Sequence, residues 1–176
     1  MEKITIKLPI FPEPIALKAV SLSLVKDASE HWIVDTDSLL KILPNLEAVV
    51  YRLDKGYYKL AVPEVTIRQT VVHLEKSYFS KKKEHQSTYG VETGMRNLVR
   101  FLKTNALLVS HPKDIPKKLR EKYEKHGDDP LLAYVSLQGR FKGVVTHDSI
   151  LIAKIRNDLS ILAPERLIKA NSCIDP

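Results

Sequence analysis

Three aspartates stand where this sequence could do chemistry. Asp35 directly follows the apolar run Trp32-Ile33-Val34, and Asp148 follows Gly143-Val144-Val145-Thr146-His147. Asp128, with Asp129 beside it, precedes Pro130 and the apolar pair Leu131-Leu132. Hard divalent cations such as Mg²⁺ or Mn²⁺ take oxygen ligands and keep several waters, so two or three converging carboxylates suffice to hold one. A cation held this way activates a water and neutralises charge on a phosphodiester during in-line attack. Such chemistry needs no cysteine or histidine nucleophile. Each aspartate also has a plainer reading: Asp35 as a turn residue, and Asp128, Asp129 and Asp148 as helix caps. Only their conjunction points to a site.

The elements that must position these acids follow from the hydrophobic pattern. Ile4, Ile6, Leu8 and Ile10 alternate, as do Val20, Leu22 and Leu24 after Pro12-Glu13-Pro14, which predicts a β-hairpin. Strands are expected at Trp32–Val34, Tyr57–Val62, Ala106–Ser110, Gly143–Thr146 and Ser160–Ala163. Ser38–Leu43 reads as a short helix stopped by Pro44-Asn45. Pro63 opens a helix carrying Ile67, Val71, Leu74 and Tyr78, and Met95, Leu98 and Leu102 mark another over Glu92–Lys103. The polar stretch Lys81–Gly90 reads as a loop. Further helices are expected over 115–125, 127–139 and 147–156. Strands alternating with helices imply a mainly parallel sheet covered on both faces, and in such sheets ligands gather outside the carboxyl ends of the strands.

The 176 residues fit one domain with a proper core. Expected boundaries are a β extension over 1–30, the main domain over 31–170 and a tail over 171–176. The longest apolar runs are too short to cross a bilayer, and Met1-Glu2-Lys3 leads straight into alternating residues rather than a leader peptide. A single cysteine, Cys173, leaves no internal disulfide and argues for a cytoplasmic home. Formal net charge is +7, and it is concentrated: 76–127 holds 13 Lys and Arg against 5 Asp and Glu. The remaining chain carries 15 basic and 16 acidic residues. Counterion release from a nucleic acid backbone rewards such a concentration, although a solvated helix face explains it equally well. The residues in question are Lys81, Lys82, Lys83, Arg96, Lys117, Lys118, Arg120 and Lys122.

Taken in order, four blocks resemble the PIN (PilT N-terminal) nucleases over roughly residues 31 to 168. Trp32-Ile33-Val34-Asp35-Thr36-Asp37-Ser38 resembles the family's opening motif, and Val62-Pro63-Glu64-Val65-Thr66-Ile67-Arg68-Gln69 its second block. Asp128-Asp129-Pro130-Leu131-Leu132-Ala133 resembles the third, and Gly143-Val144-Val145-Thr146-His147-Asp148 the last. The motifs are short, so their order and spacing carry the likeness. The resemblance implies a three-layer α/β/α sandwich with a central, mainly parallel sheet, Mg²⁺ or Mn²⁺ at an acidic cluster, and endonucleolytic cleavage of RNA, single-stranded by preference. Asp35, Asp128 and Asp148 match the metal-binding acids, with Asp129 competing for the place of Asp128, and Thr146 is expected to orient Asp148. Two positions depart from the pattern. Gln69 stands where the family has a glutamate, and Asp37 where it has Asn or Ser; Asp37, Glu64 or Glu75 is a candidate to compensate.

Other constellations are weaker. The six histidines show no metal-ligand spacing, though His147 is a candidate contact for substrate phosphate. Tyr57, Tyr58, Tyr78, Phe79 and Tyr89 lie near basic residues and could stack bases, with core packing expected for at least half of them. No glycine-rich phosphate loop is present, which excludes a nucleotide-dependent kinase or dehydrogenase of the usual type. Two alternatives to an active nuclease stay open. One is a catalytically degenerate PIN-like subunit that binds RNA or assembles with other proteins, and the other is a toxin held by an antitoxin. The N-terminal extension is a candidate surface for a protein partner or a homodimer.

Overall fold

Short β-branched and aromatic runs that are apolar on both faces form buried parallel strands, and here they form the middle of one sheet. The computed structural model describes residues 2–25, 28–110, 117, 138 and 140–169. Within them lie strands β1 (Glu2–Ile6), β2 (Ile15–Ser21), β3 (His31–Val34), β4 (Lys59–Pro63), β5 (Leu107–Ser110), β6 (Gly143–Val145) and β7 (Ser160–Leu162). The helices are α1 (Thr36–Ile42), α2 (Leu46–Asp54), α3 (Glu64–Lys83), α4 (Tyr89–Thr104), α5 (Ser149–Ile155) and α6 (Glu165–Ile168). The helices expected over 115–125 and 127–139 lie, but for positions 117 and 138, outside the described residues.

The seven strands run in the order β1-β2-β5-β4-β3-β6-β7. Every neighbouring pair is parallel except β1 with β2, so the chain is an α/β protein with a mixed, mostly parallel sheet. Alternate residues of the central strands β3 to β6 enter opposite cores. Trp32, Val34, Leu60, Val62, Leu108 and Val145 pack with the larger cluster, beside Leu39, Ile67, Met95 and Phe101. Ile33, Ala61, Val109 and Val144 face the other way, toward Phe141, Leu151 and Ile155. Both faces of these central strands are therefore dry, and each fully buried aliphatic side chain contributes about 1.5–3 kcal/mol.

Strand order fixes where a ligand site can form. From β3 the chain moves outward through β4 and β5 on one side, then returns to place β6 and β7 on the other. The switch point lies between β3 and β6, and in open α/β sheets ligands bind outside the carboxyl ends of the strands at such a point.

Four expectations from the pattern require correction. The hairpin is present, but Leu17 and Ala19 are its buried residues on β2, the opposite phase from Val20, Leu22 and Leu24. Leu22–Leu24 form a 3-10 turn instead of continuing the strand. Pro44 does not stop the chain's helical course: a 3-10 turn over Leu43–Asn45 leads directly into α2, because proline is tolerated in a first helical turn. Lys81–Gly90 is not a loop throughout, since α3 runs to Lys83 and α4 starts at Tyr89.

The turn between α3 and α4 is built, not slack. His85 adopts φ 57°, the left-handed conformation that ends many helices. Its N–H donates to Lys82 O at 3.2 Å, and the Gln86 N–H to Lys81 O at 2.8 Å, the paired bonds of a Schellman motif.

Two substitutions test these local geometries by urea unfolding. A Cβ added at Gly143 would lie 2.2 Å from the Ser160 carbonyl oxygen and 2.6 Å from the Trp32 ring. Gly143→Ala is therefore expected to cost about 1–3 kcal/mol, as overpacking does, and an unchanged midpoint would contradict this close approach. His85→Gly is expected to stabilise by up to about 1 kcal/mol through relief of the left-handed backbone.

Candidate functional site

Asp35 and Asp148 come together because β3 and β6 pair in parallel with Val34 opposite Val145. The Asp35 N–H continues that ladder, donating to Val145 O at 3.2 Å, and the Thr146 N–H donates to Leu162 O at 3.0 Å. Both aspartates therefore leave the sheet side by side at its carboxyl edge, at the switch point.

Each also starts a helix. The Asp35 Oδ1 accepts the Ser38 N–H at 2.9 Å and so caps α1. The Asp148 Oδ1 accepts the N–H groups of Ile150 at 2.9 Å and Leu151 at 3.1 Å, capping α5. The capping reading is thus correct for Asp148, and Asp35, read as a turn residue, proves to be a cap as well; capping satisfies one oxygen of each carboxylate. The other oxygens differ. Asp35 Oδ2 accepts the Thr146 hydroxyl at 2.5 Å, whereas Asp148 Oδ2 has no hydrogen bond among the described residues.

Thr146 plays a different part from the expected one. Its hydroxyl does not bond the Asp148 carboxylate. It donates to Asp35 and accepts the Asp148 backbone N–H at 3.0 Å. A single buried hydroxyl thereby ties the Asp35 side chain to the Asp148 backbone.

Asp35 is 7% exposed, and no lysine, arginine or histidine pairs with it among the described residues. Burial pushes its carboxyl above the usual carboxylate range, a rise that hydrogen bonds from Thr146 and Ser38 reduce but do not cancel. The neighbouring Asp37 adds a further upward push. Asp37 itself is exposed on the first turn of α1.

The start of α3 closes one side. Thr66 donates its hydroxyl to Val34 O at 2.9 Å, and the Thr36 hydroxyl donates to Gln69 Oε1 at 2.5 Å. Gln69 thus reaches the residue after Asp35. Glu64 does not turn inward: it forms an ion pair with Arg68 at 2.7 Å. Asp128 and Asp129 lie outside the described residues, as do Lys118, Arg120 and Lys122. Among the described residues, no three His, Cys, Asp or Glu side chains converge as a metal site.

His147 makes no hydrogen bond to the carboxylate of Asp35 or Asp148. It is exposed and pairs with Glu165, which also approaches Lys41 at 3.7 Å. Burial alone would raise the Glu165 carboxyl, but hydrogen bonds from its own N–H and from His147 outweigh that and hold it low. Thr36, Thr66 and Ser38 are the site residues that sequence reading did not single out. Thr36 and Ser38 lay inside the opening motif, and nothing but the fold reveals that Thr66 reaches β3.

The described basic candidates lie on different elements. Lys81–Lys83 are at the end of α3 farthest from Gln69, Arg96 is exposed on α4, and Lys117 is exposed. Core packing accounts for fewer of the aromatics than expected. Tyr58 is buried and Tyr78 half-buried, while Tyr57, Phe79 and Tyr89 are exposed.

No protein-family model and no curated protein matches this chain. Among the described residues, no helix is long and apolar enough to cross a membrane.

The raised Asp35 carboxyl makes stability depend on pH with a definite sign. The folded state holds this proton more tightly than the unfolded chain does, so the contribution is present below the ordinary carboxylate value of about 4 and is lost as pH rises through the folded value. Asp35→Asn keeps a good cap and removes the titration. In urea unfolding from pH 4 to 7 the variant is expected to gain stability relative to the parent, and a constant difference across that range would refute the burial effect.

Proposed function

We propose that this chain is a PIN-like, divalent-metal-dependent endoribonuclease with a three-layer α/β/α fold, acting on single-stranded RNA at the carboxyl edge between β3 and β6. One observation carries the reading: the Asp35 carboxylate is buried without a cationic partner among the described residues, beside a second carboxylate with an open oxygen. A buried carboxylate left this way costs free energy, and a bound cation reverses that balance.

Asp35 and Asp148 would hold the ion, with Asp128 or Asp129, outside the described residues, as the third acid. Two carboxylates with waters already satisfy a Mg²⁺-type ion, so the residues present fit it. When bound, the cation supplies Lewis-acid stabilisation of the phosphodiester and lowers the pKa of an attacking water. The protein's own part is to position. Thr146 fixes the Asp35 carboxylate, the backbone N–H groups of α1 and α5 fix one oxygen of each acid, and the dry strands behind them exclude bulk water.

A second reading is favoured by Gln69. A neutral amide held by the Thr36 hydroxyl, where the family's pattern has a carboxylate, lowers the charge available to a cation. In that reading the domain binds RNA without cleaving it.

Incubation of the full chain with a labelled single-stranded RNA in Mn²⁺ separates the two. The nuclease reading expects cleavage that excess chelator abolishes and that Asp35→Asn or Asp148→Asn reduces by about 100-fold or more. Thr146→Val is expected to lose about 10- to 100-fold, the usual effect of removing a group that orients a ligand. Cleavage that persists in chelator defeats the proposal, and binding without cleavage favours the second reading.

A further inference from the structure

The far end of α3 carries a group of residues that the acid site does not use. Phe79 is 54% exposed and Tyr89 is 73% exposed, at the last turns of α3 and the first residue of α4. Tyr78 stands edge-on to Phe79 with ring centroids 5.2 Å apart, and the Lys82 ammonium lies 5.8 Å from the centre of the Tyr78 ring. From 76 to 90 there are four lysines and one glutamate, a balance of +3. No acid pairs with Lys76, Lys81, Lys82 or Lys83 among the described residues. The Schellman turn at His85 fixes the backbone on which the rings and ammonium groups are mounted.

We infer that the α3–α4 tip is a binding platform for single-stranded nucleic acid, with Phe79 and Tyr89 stacking on bases and Lys81–Lys83 contacting phosphates. Exposed rings among lysines that no acid neutralises suit a polyanion that also offers flat faces, which single-stranded RNA does and duplex or acidic polypeptide does not. The inference rests on the reading of RNA as substrate, and it adds a second contact remote from the acids. Twelve residues of continuous helix separate Gln69 from Lys81, which is about 18 Å at 1.5 Å per residue. RNA held at the tip is thus anchored at a set distance from the strand edge, and the tip serves affinity rather than the reaction itself.

The test is fluorescence anisotropy with a labelled single-stranded oligouridine, on the full chain, in chelator so that no cleavage intervenes. Phe79→Ala with Tyr89→Ala is expected to weaken binding by about 10-fold or more. Tyr89→Phe, which keeps the ring, should restore the tyrosine's share where Tyr89→Leu does not. Reversing Lys81, Lys82 and Lys83 to glutamate should flatten the slope of log affinity against log salt by about 2. If the chain cleaves RNA, the same variants should raise KM and leave kcat unchanged. Oligouridine that binds the parent and the tip variants alike overturns the platform while leaving the nuclease reading standing. A parent that neither binds nor cleaves RNA overturns both. Equal displacement of the RNA by polyglutamate, or equal affinity for a duplex, shows a site for charge alone and also overturns the inference.

Discussion

A carboxylate withdrawn from water at the end of a parallel strand is tolerated only if its oxygens find donors or a cation, and the Asp35 side chain organises its neighbourhood around that requirement. One oxygen takes the Ser38 N–H in the first turn of α1, and the other takes the Thr146 hydroxyl from the adjacent strand end. The same hydroxyl accepts the Asp148 N–H and so sets where the second acid leaves the sheet. Remove that shared hydroxyl and the two strand ends remain paired, but the side chains above them lose their common reference. The close approach of Gly143 to the Ser160 carbonyl serves the same end from below, by letting β6 lie tightly against β7.

Much of this arrangement was legible in the residues. Trp32-Ile33-Val34 and Gly143-Val144-Val145 could only be buried strands, and acids directly after such strands fall at the sheet's carboxyl edge whatever the details. The partner of the Thr146 hydroxyl was not legible, because a Thr-x-Asp spacing is equally compatible with a bond to the nearby carboxylate and to one brought from across the sheet. The miss at α2 has a simple cause. Leu46, Val49, Val50 and Leu53 have helical spacing, but Pro44-Asn45 carries the signature of a helix terminator while serving as the turn that leads into α2. On β2 the alternation of Val20, Leu22 and Leu24 continues past the strand's end into a 3-10 turn, so it gives the opposite phase from the buried pair Leu17 and Ala19.

The sequence locates the excess lysines in one stretch, and the described ones among them fall on different elements. Lys81–Lys83 were carried to the distal end of a 20-residue helix, not to the rim where the acids lie. In the proposed reading this separation has a physical advantage: ammonium groups placed beside Asp35 would compete with a metal ion for its carboxylate, whereas at the far end of α3 they would attract a polyanion without neutralising the site.

The pairing of β3 with β6 brings together residues 111 positions apart in the chain. Contacts of such long sequence separation carry a larger loop-closure cost than those between β3 and β4, which are nearer in the chain. The acid pair therefore exists only where β6 lies against β3, so any change that frees that strand also parts Asp148 from Asp35.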